Sequence, residues 1–329
     1  MTERARLIEQ FLAAAGWATA QRRLLAADAS FRRYERLARD GETAVLMDAP
    51  PPRENVAAFD RIARQLLDLG LSAPRPLAVD AAAGLMLVED LGDRTFTRAL
   101  AAGCDEERLY GLAVDLLIAL HRQWRPTAGA ALPPYDEARL LDEAVLLTDW
   151  ALPALRGAPI PPAVRESYLA AWRAVLPRAH AAPATLVLRD YHVDNLMLLD
   201  GRAAIAACGL LDFQDAVVGP RAYDLVSLLE DARRDIGPAV VTTMLERYLA
   251  AFPDLDRAAF LDSYAVLGAQ RAAKIIGIFT RLDRRDGKPH YLRHIPRVWR
   301  LLRADLGKPV LAPVKAWFDR EAPAPEGEA

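Results

Sequence analysis

The feature that most constrains the fold is a polar loop between two short apolar runs. The run 185–188 leads into a loop that ends at Asn195, and the run 196–199 leaves it toward a turn at Asp200-Gly201. A further apolar run then reaches Leu211. Apolar runs bounded by turn residues predict short antiparallel strands. We therefore expect the polar residues of this segment on loops and strand ends beside one another.

Three of these polar residues are of the types that phosphoryl transfer from ATP requires. One carboxylate must accept a hydroxyl proton, and a carboxamide with a second carboxylate must hold Mg²⁺ against the phosphates. Asp190, Asn195 and Asp212 fill those roles in that order. Asp and Asn are most often turn residues, so none of the three carries the inference alone. Together, between predicted strands, they indicate a phosphotransfer site.

Length and composition exclude several other classes of protein. The 329 residues suffice for two lobes with separate cores. Because 53% of the residues are hydrophobic and the net charge is −2, neither a disordered chain nor a basic nucleic-acid binder is expected. Cys104 and Cys208 have no metal-ligand or disulfide spacing, which is typical of a reducing cytoplasm. We expect a cytoplasmic protein with small-molecule partners, and no nucleic-acid, membrane or obligate protein partner.

The pattern of elements predicts an α+β chain. Residues 1–92 form a small N-terminal lobe, 93–320 a mainly helical C-terminal lobe, and 321–329 a disordered tail. In the first lobe a helix over 3–15 precedes an antiparallel hairpin that turns at Asp40-Gly41. A helix over 54–69 and strands near 77–80 and 85–89 follow. The helices predicted in the second lobe cover 105–124, 136–152, 162–180, 221–233, 238–251, 257–281 and 290–305.

Several segments together resemble the aminoglycoside phosphotransferase family, whose members are relatives of the protein kinases. They are Ser30-Phe-Arg-Arg-Tyr34, Met86-Leu-Val-Glu-Asp-Leu-Gly92, 189–195, and Leu211-Asp-Phe-Gln-Asp215 with Gly219-Pro220 and Asp224-Leu225. A narrower similarity is to the anomeric kinases of N-acetylmuramate and N-acetylglucosamine. It rests on Met47-Asp-Ala-Pro-Pro-Pro52, Leu211-Asp-Phe-Gln-Asp-Ala216, and Lys274-Ile-Ile-Gly-Ile-Phe-Thr-Arg281 with the segments 285–288 and 291–292.

This resemblance implies a two-lobed protein-kinase-like fold that uses ATP and Mg²⁺. Asp190 would be the catalytic base, and Asn195 and Asp212 the metal ligands. The implied reaction phosphorylates the anomeric hydroxyl of N-acetylmuramate and/or N-acetylglucosamine. The product would be the sugar α-1-phosphate in peptidoglycan recycling.

Two positions depart from the wider pattern. Met47 stands where protein kinases have a lysine that contacts the phosphates, although the narrower family is similar in having Met. Arg32 or Arg33 could supply the charge, and since alternate strand residues face opposite ways, only one should do so. We favour Arg33, while a surface arginine remains the alternative. Leu188 stands where the family's catalytic loop usually begins with histidine. We expect this replacement to affect the fine positioning of the loop and not the reaction.

The remaining candidates are nucleotide and substrate contacts. The resemblance places Ser30, Arg32, Arg33, Met47, Glu89 and Leu91 around ATP, with the main chain of Glu89 and Leu91 on the adenine. Asp224 could accept hydrogen bonds from the catalytic loop or cap its own helix. The sugar-contact candidates, several of which could equally form a solvated face or a turn, are Tyr135, Glu143, Asp215, Arg271, Lys274 and Arg281.

Other functions remain open. An aminoglycoside is a polycation, so its kinase should line the site with carboxylates, whereas basic residues dominate 271–303. Met47 and Leu188 raise the alternative of a catalytically silent nucleotide-binding scaffold. The intact set of Asp190, Asn195 and Asp212 argues against it. A chaperone or assembly role is not distinguished by the sequence.

Overall fold

The chain divides into two compact units in a computed structural model that describes residues 2–25, 32–52, 54–126 and 132–322. The first unit comprises Met1–Leu116 and Val193–Ala216, and the second comprises Leu117–His192 and Val217–Ala329. The chain thus passes from one unit to the other inside the polar loop, between Asp190 and Asn195. Within the described ranges, no helix is both long and apolar enough to cross a membrane.

The first unit contains a five-stranded antiparallel sheet in the order β1-β2-β3-β5-β4. The predicted hairpin is confirmed, and its Asp40-Gly41 turn has φ values of 50° and 83°, the left-handed pair typical of a two-residue hairpin turn. The strands are β1 (Gln21–Leu24), β2 (Arg33–Arg39), β3 (Glu42–Asp48), β4 (Pro76–Asp80) and β5 (Leu85–Glu89).

Helix α1 (Glu3–Ala14) covers part of this sheet with Ile8 and Leu12, which pack with buried Leu37 and Leu46. Helix α2 (Val56–Asp68) begins later than predicted because the Asn55 side chain caps it, accepting hydrogen bonds from the first-turn N–H groups. Helices α3 (Phe96–Ala101) and α4 (Glu106–Gln123) follow, and α3 is an element that the sequence pattern did not predict.

A short hairpin of β7 (Leu196–Leu198) and β8 (Cys208–Leu210) completes the first unit, as the apolar runs predict. The Leu198 N–H donates to the Arg94 carbonyl at 2.8 Å, and the Thr97 N–H donates to the Val193 carbonyl at 3.2 Å. The segment around α3 therefore holds both the hairpin and the loop that precedes it.

The second unit is mainly helical, with a two-stranded ladder of β6 (Thr185–Val187) and β9 (Val217–Gly219). Its longest helix, α10, has 30 residues and ends at Gly287 in the left-handed conformation that favours glycine. The helices are α5 (Glu137–Ala144), α6 (Leu152–Arg156), α7 (Pro162–Val175), α8 (Tyr223–Leu229), α9 (Pro238–Ala250), α10 (Arg257–Asp286), α11 (Ile295–Leu306) and α12 (Ala312–Glu321).

One predicted helix of the second unit, 136–152, is wrong in detail. It breaks after α5 into a π-helical turn, Leu147–Ala151, before α6 begins. Helix α10 lies close to this segment, since a Cβ built on Gly277 would lie 2.3 Å from the Leu146 carbonyl carbon. The predicted disordered tail lies outside the described residues except for its first two, and the boundary after residue 92 stays a prediction.

Candidate active site

The loop that carries Asp190 follows strand β6 in the second unit. The N–H groups of Leu188 and Arg189 donate to the two carboxylate oxygens of buried Asp224, at 2.7 and 2.9 Å. Asp224 therefore holds the loop's main chain, the first of its two expected roles, and makes no side-chain cap to its own helix α8. Burial raises the pKa of Asp224 to about 7, against the lowering effect of the two N–H donors. Asp190 itself is exposed beyond this anchor.

Arg189 connects the loop to a buried polar network. Its φ of 72° is uncommon for a residue with a side chain, a conformation that costs on the order of 1 kcal/mol and persists only where contacts impose it. The Arg189 guanidinium donates to Glu143, which also accepts from the Tyr135 hydroxyl. Lys274 lies 3.0 Å from the same carboxylate and donates to the Tyr223 hydroxyl at 3.2 Å.

Charge balance keeps Glu143 ionised within this network. Burial alone would raise the pKa of Glu143, but Lys274 and Arg189 outweigh it and hold the pKa below its ordinary value. Tyr135 is fully buried, and a Cβ on Gly219 would lie 2.5 Å from the Tyr135 Cβ, so the network sits tightly on β9. The structure thus brings the candidates Tyr135, Glu143 and Lys274 together around Arg189.

The other sugar-contact candidates lie elsewhere. Arg271 is buried and donates to the Glu230 carbonyl at 3.2 Å. Arg281 is half-buried on α10, where burial and then Arg285 lower its pKa. Asp215 belongs to the first unit, is exposed, and accepts from the Gln214 amide at 3.3 Å. None of these three shares the Arg189 network in the contacts described for 132–322.

In the first unit, Asn195 and Asp212 flank the same end of the β7–β8 hairpin. Asn195 directly precedes β7, and its carbonyl accepts from the Leu211 N–H at 2.9 Å. Asp212 follows, with a φ of 57°, another left-handed position of the kind that concentrates at functional sites. Its carboxylate is 41% exposed and accepts from the Gln214 amide at 2.9 Å. The two residues, one with a carboxamide and one with a carboxylate, thus lie at one end of the hairpin.

This pair of side chains fits Mg²⁺. Within 2–25, 32–52, 54–126 and 132–322, no three His, Cys, Asp or Glu side chains are grouped to hold a metal. Mg²⁺ does not need such a group, because one or two carboxylates usually bind it together with substrate phosphates and water. Asp212 offers a half-exposed carboxylate and Asn195 a carboxamide oxygen, both hard donors suited to this ion.

The nucleotide candidates differ in what their contacts allow. Ser30 lies outside the described residues. The Glu89 N–H donates to the Arg75 carbonyl at 2.9 Å and its side chain accepts from Arg202 at 2.6 Å. Glu89 can therefore offer the adenine only its carbonyl. Leu91 is half-buried, with its Cδ1 3.1 Å from a Cβ built on Gly209.

Met47 and Arg32 line a cavity of about 190 Å³ in the first unit. Arg32 is 12% exposed and lies 3.3 Å from Glu54 and 3.6 Å from Asp212, whereas Arg33 is exposed. The geometry therefore favours Arg32 over Arg33 as the cation beside Asp212, contrary to the expectation from the sequence.

Sequence reasoning missed several residues that contact or adjoin the candidate site residues. Arg189 adjoins Asp190 in the motif, so its position alone could have marked it. Glu54 and Gln214 became evident only through their contacts with Arg32 and Asp212. The Thr97 hydroxyl donates to Asp194, the neighbour of Asn195. No local sequence pattern predicts this contact.

The fold and these residue types fit a phosphotransferase, and comparison with known proteins identifies the family. Residues 21–261 match the model of the phosphotransferase enzyme family, and the chain belongs to that family. It is 40% identical to the N-acetylmuramate/N-acetylglucosamine kinase of Caulobacter vibrioides over 95% of both chains. Identity to the enzyme of the same name from Pseudomonas aeruginosa is 36%, over 85% of this chain and 82% of that one.

Solved structures support the fold class. The ADP-bound aminoglycoside phosphotransferase APH(2'')-Ib matches with a TM-score of 0.59 and 16% identity, over 92% of this chain and 98% of that one. At this identity the likeness concerns the fold alone. It confirms the predicted α+β, protein-kinase-like architecture.

Proposed function

We propose that this protein is a sugar kinase that transfers the γ-phosphoryl group of ATP to the anomeric hydroxyl of N-acetylmuramate and/or N-acetylglucosamine. The observation that carries the proposal is the 40% identity, over 95% of both chains, to a kinase named for those two sugars. The exposed Asp190 on an anchored loop and the oxygen pair of Asn195 and Asp212 support it, because they supply what the transfer requires.

Asp190 is the general base of the proposed reaction. Its carboxylate accepts the proton of the anomeric hydroxyl as that oxygen forms a bond to the γ-phosphorus. The bond between the γ-phosphorus and the β,γ-bridging oxygen breaks, and ADP leaves with the electron pair. Asp224 and Arg189 act on this step indirectly, by holding the main chain on which Asp190 is mounted.

Asn195 and Asp212 are the residues that would hold Mg²⁺, which when bound neutralises charge on the phosphates. The half-exposed Asp212 carboxylate is set by its left-handed backbone and by Gln214. The adenine would meet the Glu89 carbonyl and the main chain of Leu91. A cytoplasmic location follows from the use of ATP.

Recognition of the sugar calls for hydrogen-bonding groups and, for the lactyl carboxylate of N-acetylmuramate, a cation. Arg281 is the candidate cation with partial exposure, since Arg271 and Lys274 are committed to buried contacts. Asp215 is exposed and could accept from a sugar hydroxyl. The sugar α-1-phosphate formed would be the substrate of a nucleotidyltransferase in peptidoglycan recycling.

The experiment that tests the proposal supplies Mg·ATP with N-acetylmuramate, N-acetylglucosamine, glucose, kanamycin or choline, and locates new phosphate by phosphorus NMR. A phosphate on carbon 1 of either amino sugar is expected. The 1-O-methyl glycoside of N-acetylglucosamine should be inert because it lacks the reacting hydroxyl, while the 6-deoxy sugar should still react.

Two results would contradict the proposal. A reactive methyl glycoside with an inert 6-deoxy sugar would identify a 6-kinase. Greater activity on kanamycin than on either amino sugar would favour an aminoglycoside kinase.

A further inference from the structure

Strand β3 does not carry the lysine that binds the nucleotide phosphates in protein kinases. In protein kinases, a lysine on the strand equivalent to β3 contacts the α- and β-phosphates and pairs with a glutamate of the following helix. Met47 occupies that position here, and it is neutral and buried. The carboxylates of Glu54, Asp212 and Asp215 add negative charge to the same region, so a triphosphate needs a cation from another element.

The strand register identifies the face from which this cation comes. Tyr34 of β2 pairs with Met47 of β3, and directly paired residues project from the same face of a sheet. Arg32 lies immediately before β2 and two residues before Tyr34. Extending the strand's alternation by one residue places it on that face, and its position in one cavity with Met47 agrees. Arg33 pairs with Asp48 and faces the other way.

The cavity gives independent support for this placement. Arg32 and Met47 both line it, with Glu54, Phe59, Gln214 and Asp215. Arg32 is the cation among those six side chains. Arg32, which immediately precedes β2, thus reaches the cavity beside Met47, the residue that stands in place of the kinase lysine.

The contacts of Arg32 repeat the ion pair that the lysine makes in protein kinases. Its Nε lies 3.3 Å from Glu54, two residues ahead of helix α2, and its terminal nitrogen lies 3.6 Å from Asp212. The Arg32 guanidinium keeps its positive charge among these groups, because arginine is not deprotonated in proteins.

We propose that Arg32 is the phosphate-binding cation of this enzyme, oriented by Glu54 and placed beside the metal ligand Asp212. The planar guanidinium suits this role because one edge can pair with Glu54 while the other donates to a phosphate oxygen. The inference rests on the proposed use of ATP, and it specifies a residue that acts on the phosphates and not on the sugar.

Isothermal titration calorimetry with the full chain tests the proposal directly. Arg32→Ala should weaken Mg·ATP binding by about 10- to 100-fold, the loss expected for one charge-assisted hydrogen bond. Adenosine, which has no phosphates, should bind the variant and the parent equally. Arg64→Ala, which removes an exposed arginine of α2 paired with Asp60, is the matched control and should change neither affinity.

A second variant moves the charge back to the strand where protein kinases carry it. Met47→Lys added to Arg32→Ala should restore Mg·ATP affinity and turnover in part, because the lysine would enter the same cavity and could pair with Glu54. If Arg32→Ala lost adenosine binding as well, Arg32→Gln would replace it, because glutamine keeps a hydrogen-bond donor but not the charge. Arg32→Gln should then weaken Mg·ATP binding and leave adenosine binding unchanged.

Three results would overturn the inference: unchanged Mg·ATP affinity in Arg32→Ala, an equal loss for adenosine in Arg32→Gln, or a phosphate-specific loss in Arg33→Ala instead. Failure of the proposed function is distinguishable. A parent protein that binds Mg·ATP through Arg32 but phosphorylates no amino sugar would refute the sugar assignment and leave the role of Arg32 intact.

Discussion

Replacing Glu143 by glutamine tests whether the Arg189 network positions the loop that carries Asp190. Glu143 accepts from Tyr135 and Arg189 and lies 3.0 Å from Lys274. Its side chain is 12% exposed, as is that of Lys274. Glutamine keeps the shape and one acceptor oxygen, but it removes the negative charge and turns an NH₂ group toward donors. We therefore expect Glu143→Gln to fold with lower stability and to misplace Arg189.

The magnitude follows from the two cations that would lose their partner. Removing one member of a buried ion pair costs about 3–5 kcal/mol, because it leaves an uncompensated charge in a poorly solvated site. The amide oxygen retains a hydrogen bond worth about 1 kcal/mol. We expect a loss of about 3 kcal/mol in the free energy of unfolding. Turnover should fall about 10- to 100-fold, since a small displacement of a reacting group has effects of this size.

Urea denaturation and steady-state kinetics measure the two effects on the same protein. KM for ATP should change little, because Glu143 and the proposed nucleotide residues belong to different units. Asp142→Asn is the matched control, since Asp142 neighbours Glu143 on α5 but is exposed. It should leave stability and turnover close to those of the parent.

The pH dependence of the unfolding free energy tests whether the negative charge of Glu143 is the cause of this stabilisation. Because the pKa of Glu143 is held below its ordinary 4.5 in the folded state, its ionisation stabilises the fold above about pH 4.5. This contribution is lost as pH falls through the folded-state pKa. The difference in unfolding free energy between parent and Glu143→Gln should therefore narrow below pH 4.5. If the parent and Glu143→Gln had equal urea midpoints and equal turnover at pH 7, the proposed role of Glu143 would be refuted.

Further substitutions test the other assignments. Asp190→Asn should lower kcat by about 10² or more and leave nucleotide affinity within a few fold, as expected for a general base; turnover near that of the parent would contradict the role. Asp212→Ala should abolish the Mg²⁺-dependent gain in ATP affinity measured by calorimetry, and an unchanged gain would show that Asp212 is not a ligand. Since the pKa of Asp224 is about 7, its anchoring carboxylate gains a proton as pH falls through that value, and kcat should fall with it. Asp224→Asn should have a lower kcat without this inflection in its pH profile, and an inflection that persists would assign it to another group. Gly277→Ala should destabilise the second unit by about 1–3 kcal/mol in thermal unfolding, because its Cβ would overlap Leu146.

Local sequence patterns predicted many of the elements, for identifiable reasons. Strand β5, Leu85–Glu89, is a continuous apolar run that ends in acidic residues, so its bounds matched the prediction. The β2–β3 hairpin follows from Asp40-Gly41, which supports two consecutive left-handed residues. Helix α3 was missed because six residues hold too little periodicity to recognise. The π-helical turn after α5, which lies where α10 closely approaches Leu146, was missed because local periodicity does not report contacts with a helix distant in sequence.

The chemistry of the candidate site was determined by the sequence, because it depends on residue types close together along the chain. Asp190 and Asn195 fall in one loop, and Asp212 follows the next apolar run. The sequence also predicted that only one of Arg32 and Arg33 should point into the nucleotide cleft, since alternate strand residues face opposite ways.

Only the tertiary structure placed Arg32, and not Arg33, beside Met47 and Asp212, because these residues come from separate parts of the chain. It likewise decided that Tyr135, Glu143 and Lys274 form one network around Arg189, although they come from separate helices and loops. Periodicity reports which face of an element is buried, but not which distant element covers it. Contacts between residues far apart in the chain, which set both ion-pair networks, therefore had to come from the fold.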